Sequence, residues 1–226
     1  MTSQRARPFV IAVDGPSAAG KGTLARRLAA HYGFAFLDTG LLYRAVGLRL
    51  IAAGEDPADP AAAAAAACRV TAAELGDPAL RGEDVAQAAS KVAAVPEVRR
   101  VLLGLQRAFA ARPALAGGEP APGIVLDGRD IGTVVCPAAD VKIFVTASSE
   151  ERARRRYKEL LDRGDDAIYS RVLQDMKDRD HRDSGRAVSP MVPATDALVI
   201  DSTALDADAA FALAADLVDE RRKRAV

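Results

Sequence analysis

Five short apolar runs divide the sequence, and longer segments with helical spacing of apolar residues separate them. The runs cover residues 9–13, 35–37, 123–126, 141–145 and 197–200. Continuous apolar runs of this length are typical of strands buried on both faces of a parallel sheet. The other segments predict helices over residues 21–32, 41–53, 85–94, 98–110 and 207–222. Strands that alternate with helices indicate an α/β fold.

Two further segments interrupt this alternation. A long, mostly helical insertion separates the second predicted strand from the third, and two charged helices follow the fourth strand. The first of these helices begins at Ser149 and has four arginines, Arg152, Arg154, Arg155 and Arg156. We expect one domain with three parts: a core (residues 1–38, 121–148 and 187–226), an insertion (residues 39–120) and a lid (residues 149–186).

Composition excludes several classes of protein. Half of the 226 residues are hydrophobic, and 31 Lys and Arg balance 31 Asp and Glu. Balanced charge and few aromatic residues argue against a nucleic-acid partner. No apolar run approaches the roughly 18 residues needed to cross a bilayer, and two cysteines are too few for a disulfide framework. We expect a cytoplasmic monomer that acts on small molecules, with no membrane partner.

A glycine-rich loop lies between the first predicted strand and the first predicted helix. Residues 15–23 have the sequence Gly-Pro-Ser-Ala-Ala-Gly-Lys-Gly-Thr. In this position a Gly-x-x-x-x-Gly-Lys sequence is typical of a P-loop, whose backbone N–H groups and helix N-terminus bind phosphate. The expected ATP contacts are Gly15, Pro16, Ser17, Ala18, Ala19, Gly20, Lys21, Gly22 and Thr23. Lys21 is expected to bridge the β- and γ-phosphates.

The loop departs from the general pattern at the position that usually binds Mg²⁺. Gly22 stands where most P-loops have Ser or Thr, and the hydroxyl follows one residue later at Thr23. We therefore expect the phosphates of ATP and water to hold Mg²⁺. Thr23, Asp38 and Asp127 are the candidates for further contact with the ion.

Charged residues also follow the second predicted strand. Residues 38–44 have the sequence Asp-Thr-Gly-Leu-Leu-Tyr-Arg. Thr39 is placed to cap a helix that projects Tyr43 and Arg44 from its first turns. A guanidinium at that position is suited to bind phosphate, although a solvated helix start is the alternative.

The third predicted strand ends in the sequence Asp127-Gly128-Arg129-Asp130. Ligands of open parallel sheets bind beyond the carboxyl ends of the strands. An apolar run that ends in Asp127 also resembles the acidic end of a Walker-B strand. We expect Arg129 and Asp130 to contribute a guanidinium donor and a carboxylate acceptor to a ligand site.

Residues 179–186 form the densest charged run, Arg-Asp-His-Arg-Asp-Ser-Gly-Arg. Phosphoryl transfer needs positioning and positive charge over the transferred oxygens, which arginine supplies. We expect Arg155 and Arg156 of the lid to contact ATP. The lid arginines should repel one another when no anion is bound, so that the lid is open without ligand and closes over nucleotides.

The P-loop by itself leaves other kinds of protein open. A GTP switch protein would need an Asn- or Thr-Lys-x-Asp segment to bind guanine, and the sequence has none. A kinase of another nucleotide or small metabolite on the same core is one alternative. A nucleic-acid or protein-binding module with ATP as a structural ligand is another, which the neutral charge and low aromatic content disfavour.

Five segments together resemble the bacterial-type cytidylate kinase family of P-loop nucleoside monophosphate kinases. They are residues 15–23, 38–44, 88–99, 127–135 and 179–187. The resemblance covers nearly the whole chain. It implies transfer of the γ-phosphoryl group of ATP, with Mg²⁺, to CMP or dCMP. It also implies a three-layer α/β P-loop NTPase core with a five-stranded parallel sheet, a helical NMP-binding insertion and a short lid.

The resemblance implies a role for each matched side chain. The implied CMP contacts are Thr39, Tyr43, Arg44, Ser90, Arg99, Arg129, Asp130, Arg179, Asp183 and Arg186. Arg44, Arg129 and Arg186 would bind the acceptor phosphate. Ser90, Arg99 and Asp130 would contact cytosine, and Arg179 and Asp183 would contact the sugar. The implied catalytic residues are Lys21, Arg129 and Arg186.

The chain also departs from the family pattern. Thr39 replaces a common Ser, which keeps the hydroxyl. Ala18 replaces a common loop Gly, which predicts an ordinary backbone conformation there. Members of the family often insert a small antiparallel sheet in the insertion, whereas residues 70–81 leave room for little more than a short hairpin.

Overall fold

A five-stranded parallel sheet with helices on both sides is the centre of the fold in the computed structural model, which describes residues 7–224. The strands are β1 (Phe9–Asp14), β2 (Ala35–Asp38), β3 (Gly123–Asp127), β4 (Val141–Thr146) and β5 (Leu198–Asp201). Their order across the sheet is β2-β3-β1-β4-β5. The predicted α/β class and all five predicted strands are confirmed.

The central strand β1 is buried along its whole length, as its apolar sequence requires. It pairs in parallel with β3 on one side and with β4 on the other. Val13 is in register with Asp127, and Asp14 is in register with Phe144. The carboxyl ends of three neighbouring strands therefore meet at one edge of the sheet.

The helices in the described part of the chain follow the predicted pattern closely. They are α1 (Lys21–Tyr32), α2 (Gly40–Ala53), α3 (Pro60–Ala67), α4 (Glu83–Val92), α5 (Pro96–Ala111), α6 (Ser149–Asp162), α7 (Tyr169–Ser184) and α8 (Ala207–Lys223). α8 buries Ala210, Ala214 and Val218, which its helical spacing places on one face, in the cluster that contains the strands. Among residues 7–224, no helix has both the length and the apolar character that a membrane span requires.

The chain folds into two compact units. The first comprises the chain up to Leu37 and from Ala110 onward, and the second is Asp38–Phe109. Residues 110–120 belong to the first unit, so this division differs from the insertion boundary drawn at residue 120. The functional assignment of core, insertion and lid stays a prediction.

The second unit has an apolar core of its own, to which α2 contributes Leu42, Val46 and Leu50. α2 packs closely on α4, since a Cβ at Gly47 would lie 2.9 Å from the Cβ of Ala88. The sequence pattern did not predict a helix for the alanine-rich segment that forms α3. It begins with proline and is capped by Asp59, whose carboxylate accepts two backbone N–H groups.

Residues 70–81, where the sequence leaves room for little more than a short hairpin, do not form one. The segment forms two short 3₁₀-helices, Ala72–Gly76 and Pro78–Arg81. Local bonds explain this outcome: Thr71 and Glu74 form a capping box, and the carboxylate of Asp77 accepts the N–H of Ala79 at 2.8 Å. Side chains thus satisfy the backbone here without a strand partner.

Candidate functional site

The glycine-rich loop of residues 15–23 connects β1 to α1 and has three left-handed positions. Gly15, Ala18 and Gly20 have φ angles of 136°, 58° and 92°. A Cβ at Gly15 would lie 1.9 Å from the carbonyl oxygen of Val145 in β4, so that only glycine fits there. The loop therefore begins in direct contact with the neighbouring strand.

The ordinary backbone conformation expected at Ala18 is wrong, because its φ is left-handed. The methyl group of Ala18 packs against the apolar cluster between α6 and α7, which includes Ala153 and Met176. Such packing can hold a non-glycine residue in a strained conformation. The loop is thus fixed to these helices as well as to the sheet.

Lys21 and Asp127 form a charged centre next to the loop. The side chain of Lys21 is only 5% exposed, and its Nζ donates to the carbonyl of Pro16 at 2.8 Å. The same Nζ lies 3.9 Å from Oδ1 of Asp127. Oδ2 of Asp127 lies 3.2 Å from the position that a Cβ would take at Gly22. A carboxylate therefore borders the position where most P-loops have a hydroxyl.

The turn that follows β3 contains two predicted site residues, Arg129 and Asp130. Its first residue, Gly128, donates its N–H to the carbonyl of Val13 at 2.9 Å. The side chain of Asp130 is buried, and its backbone carbonyl accepts the N–H of Val134 at 2.8 Å. The turn continues into a π-helical turn, Ile131–Val135, which the sequence pattern did not predict.

Asp14, the last residue of β1, was not among the expected site residues. Its two carboxylate oxygens accept the N–H groups of Ile131 and Gly132, each at 2.7 Å. Burial raises the pKa of Asp14 to about 6, although these two hydrogen bonds and Lys21 lower it. The signal in the sequence was a carboxylate that ends a fully apolar strand directly before the phosphate loop.

Asp183 of α7 lies among three predicted site arginines. Arg129 donates from Nε to Oδ2 of Asp183 at 3.2 Å, and Arg186 donates from Nε to its backbone carbonyl at 3.1 Å. Burial alone would raise the pKa of Asp183, but Arg129, Arg179 and Arg186 lower it below its ordinary value. The structure therefore brings together four of the predicted acceptor-site residues.

The arginines of α6 have carboxylate partners, which compensate the like charges from which repulsion was expected. Closure of the lid over bound nucleotides stays a prediction. The ion pairs are Arg152 with Asp180, Arg154 with Glu151, Arg155 with Glu151 and Arg156 with Glu159. Opposite charges at three and four residues along a helix compensate one another. Glu151 and Glu159 are close to their partners in the sequence, whereas Asp180 is 28 residues from Arg152. The expectation rested on the like charges alone.

Arg152 links α6 to two other parts of the first unit. Its side chain is 4% exposed, and it donates to both carboxylate oxygens of Asp180, at 2.6 and 3.2 Å. It also donates to the carbonyls of Ala147 at 2.9 Å and Ser17 at 3.4 Å. One guanidinium thus contacts the P-loop and α7 together.

Arg155 lies beside the P-loop and contacts the chain after β5. It donates to the hydroxyl and the carbonyl of Ser202 at 3.0 and 2.6 Å, and the Ser202 hydroxyl donates to the carbonyl of Ala19 at 2.9 Å. Its Nη1 lies 3.9 Å from the position of a Cβ at Gly20. Sequence reasoning did not find Ser202, which follows the last strand with no motif around it.

In the second unit, the segment before α2 differs from expectation. The hydroxyl of Thr39 makes no capping hydrogen bond, so the expected cap is wrong. The carboxylate of Asp38 instead accepts the N–H of Gly40 at 2.9 Å. Thr39 is already helical in its backbone, with φ −67° and ψ −20°, whereas a capping residue is usually extended.

The remaining predicted residues of the second unit lie on three of its helices. The guanidinium of Arg99 on α5 lies 5.6 Å from the ring centroid of Tyr43 on α2. Arg44 donates to the carbonyls of Leu80 and Gly82 at 2.7 and 3.3 Å. Ser90 is buried on α4. The roles expected for these residues stay predictions.

Comparisons with known proteins agree with the sequence resemblance. The family model described as cytidylate kinase matches residues 11–220. The chain is 60% identical over 213 residues to a cytidylate kinase of Paramagnetospirillum magneticum, covering 94% of this chain and 99% of the relative. It is 55% identical over 216 residues to a cytidylate kinase of Rhodospirillum rubrum, covering 96% and 100%. A solved structure of an uncharacterized protein from Eubacterium ventriosum has a TM-score of 0.52 at 16% identity, covering 95% and 99%, which shows a similar fold.

Proposed function

Because the chain belongs to the cytidylate kinase family, we propose that it transfers the γ-phosphoryl group of ATP to CMP and dCMP. The products are ADP and CDP or dCDP, formed by direct in-line transfer. The observation that carries the proposal is the placement of the P-loop lysine and Arg129 after neighbouring strands of one sheet. Donor and acceptor phosphates would then meet at the carboxyl edge of that sheet.

The donor side consists of the P-loop and two lid arginines. Backbone N–H groups of residues 15–23 and the N-terminus of α1 would bind the β-phosphate of ATP. Lys21 would move its contact from the carbonyl of Pro16 to the phosphate oxygens, where its charge stabilises the transition state. Arg155 and Arg156 would add positive charge from α6.

The proposed acceptor contacts follow from membership of the family. Arg129, Arg186 and Arg44 would bind the phosphate of CMP, while Arg179 and Asp183 contact the sugar. The low pKa of Asp183 supports this assignment, because an ionised carboxylate holds the arginines around it in place. A phosphate acceptor is already ionised, so the reaction needs no general base.

The cytosine contacts follow from the polarity of the base. Cytosine offers an amino donor beside a ring nitrogen and a carbonyl, both acceptors. Asp130 would accept from the amino group, and Arg99 and Ser90 would donate to the acceptors. Thr39, directly before α2, and Tyr43 on α2 are the other proposed contacts.

We propose that Mg²⁺ enters with ATP and is held mainly by phosphate oxygens and water. Asp127 fits this ion, since its carboxylate borders Gly22 and one or two carboxylates with several waters are the usual Mg²⁺ ligands. Thr23 and Asp38 are the other candidates. When bound, the ion neutralises charge on the β- and γ-phosphates.

The assembly and location of the protein are proposals as well. We propose a cytoplasmic monomer that acts on ATP and CMP or dCMP, with no nucleic-acid or membrane partner. The balance of 31 basic and 31 acidic residues supports the absence of a nucleic-acid partner, because such proteins have a basic surface.

A screen of nucleoside monophosphates with ATP and Mg²⁺ tests the activity. We expect CMP and dCMP to give the highest kcat/KM in a coupled assay of ADP formation. UMP should be slower by roughly 5- to 150-fold, because it leaves a buried polar group unpaired at a cost of about 1–3 kcal/mol. A higher kcat/KM for another nucleotide, or for a non-nucleotide metabolite, would replace CMP as the substrate.

Asp130→Asn should weaken the preference for CMP over UMP. The amide offers a donor to the uracil carbonyl as well as an acceptor to the cytosine amino group. The measurement is the ratio of kcat/KM values for the two acceptors, with KM for ATP as the internal control. An unchanged ratio would assign Asp130 to the support of neighbouring arginines instead.

A further inference from the structure

The turn that contains Arg129 and Asp130 is attached to the end of β1 on both sides. Gly128, before the two residues, donates to the backbone of β1, and Ile131 and Gly132, after them, donate to the carboxylate of Asp14. We propose that Asp14 is a positioning residue that sets acceptor binding and selectivity by holding this turn. The inference rests on the proposed function of the site.

The geometry favours an ionised carboxylate at this position. Ile131 and Gly132 present two N–H donors, and each reaches a separate oxygen of Asp14 at 2.7 Å. An amide of the same shape has one acceptor oxygen, and its NH₂ group would face the other N–H. A protonated carboxyl keeps its carbonyl acceptor, but its hydroxyl oxygen is a weaker acceptor than a carboxylate oxygen. The ionised acid therefore binds both N–H groups most strongly.

Asp14 lies between the loop proposed to bind ATP and the turn proposed to bind CMP. The next residue is Gly15, the first of the P-loop, and Gly15 is held against the carbonyl of Val145 in β4. Asp14 is the last residue of the buried strand β1, so its side chain has little freedom to move. The turn with Arg129 and Asp130 is therefore hydrogen-bonded to the residue that directly precedes the P-loop.

Several charged groups surround the carboxylate of Asp14. Asp130 raises its pKa and Lys21 lowers it, and the stem of Lys142 packs near Gly132 while its ammonium pairs with Asp196 at 2.9 Å. Burial is the largest influence and places the pKa of Asp14 at about 6. Asp14 is therefore ionised above that pH, and protonation below it weakens one of the two acceptors.

The test compares Asp14→Asn with a matched control, Asp140→Asn. Asp140 also accepts a backbone N–H of β1, from Val10 at 2.9 Å, but at the opposite end of the strand. We expect Asp14→Asn to lower kcat/KM for CMP by about 100-fold, the scale of a 1 Å misplacement. Its preference for CMP over UMP should also fall. Asp140→Asn should keep both values.

The pH dependence provides a second measurement, on the unmodified protein. CMP and UMP have the same phosphate, so the ratio of their kcat/KM values cancels the titration of that group. We expect this ratio to fall as the pH drops from 7.5 through about 6, as Asp14 takes up a proton. In Asp14→Asn the ratio should stay constant over this range.

The outcomes separate this inference from the proposed function. If the unmodified protein does not phosphorylate CMP, the proposed function fails and the inference fails with it. If it does, and Asp14→Asn keeps the CMP kcat/KM and the CMP preference, Asp14 has a purely structural role. If Asp14→Asn does not fold, a flat pH profile of the ratio in the unmodified protein overturns the inference, and the expected fall supports it.

Discussion

Lys21→Ala is expected to lower kcat by about 10²- to 10³-fold, the cost of removing one preorganised donor from a developing charge. The ammonium of Lys21 is buried between the carbonyl of Pro16 and the carboxylate of Asp127. In this position it is shielded from water, so its charge acts strongly on a bound phosphate. Steady-state assays with ATP and CMP, together with a circular dichroism spectrum, measure the effect.

Two further variants show whether the loss comes from charge or from packing. Lys21→Met keeps the volume of the buried stem and removes only the charge, so its kcat should fall about as far as that of Lys21→Ala. Arg27→Ala removes a cation from the same helix, where it pairs with Asp208 at 2.7 Å, and should keep full activity. A native spectrum with most of kcat retained in Lys21→Met would exclude the lysine from catalysis.

The sheet could be predicted from sequence because apolar runs identify buried parallel strands without knowledge of the tertiary structure. β1 shows this, since all six of its residues are buried and five of them form the predicted run. Residues 70–81 could not be predicted in this way. There the secondary structure depended on the local hydrogen bonds that Thr71, Glu74 and Asp77 make to the backbone. Such bonds compete with strand pairing.

The candidate site was predictable where a motif marks it. The loop at residues 15–23 and the turn after β3 lie where the sequence placed them. Asp14, Asp180 and Ser202 were missed because their importance comes from contacts across the fold. Asp14 meets residues 131 and 132, and Ser202 meets Ala19. The sequence marks Asp14 only as a carboxylate that ends an apolar strand, and it does not indicate which distant residues Asp14, Asp180 and Ser202 contact.

The contacts of these residues show that part of the segment predicted as a lid supports the P-loop. Ser17, Ala18 and Ala19 of the P-loop are all held from outside the loop: by Arg152, by the apolar cluster of α6 and α7, and by Ser202. The start of α6 is therefore part of the support of the donor loop. Substitution of Arg152 would disturb the P-loop and α7 together, since its guanidinium contacts both.

Gly15→Ala should be among the most destabilising single substitutions in the loop, at about 3–5 kcal/mol, through backbone strain and a direct clash. Gly15 has φ 136°, and a Cβ there would lie 1.9 Å from the carbonyl oxygen of Val145. The backbone fixes the position of the Cβ, and the oxygen belongs to the backbone of Val145, so neither can rotate away and β1 and β4 would have to separate. Urea unfolding measures the free energy, which in most domains totals only about 5–15 kcal/mol.

Gly33→Ala is the matched control because it isolates the strain of a left-handed backbone. Gly33 has φ 65° and no atom within 4 Å of the position of a Cβ, so alanine there should cost only about 1–2 kcal/mol. The difference between the two variants measures the contact of the P-loop with β4. Equal losses at Gly15 and Gly33 would mean that the strands adjust to the methyl group, and that the start of the phosphate loop is not fixed by the neighbouring strand.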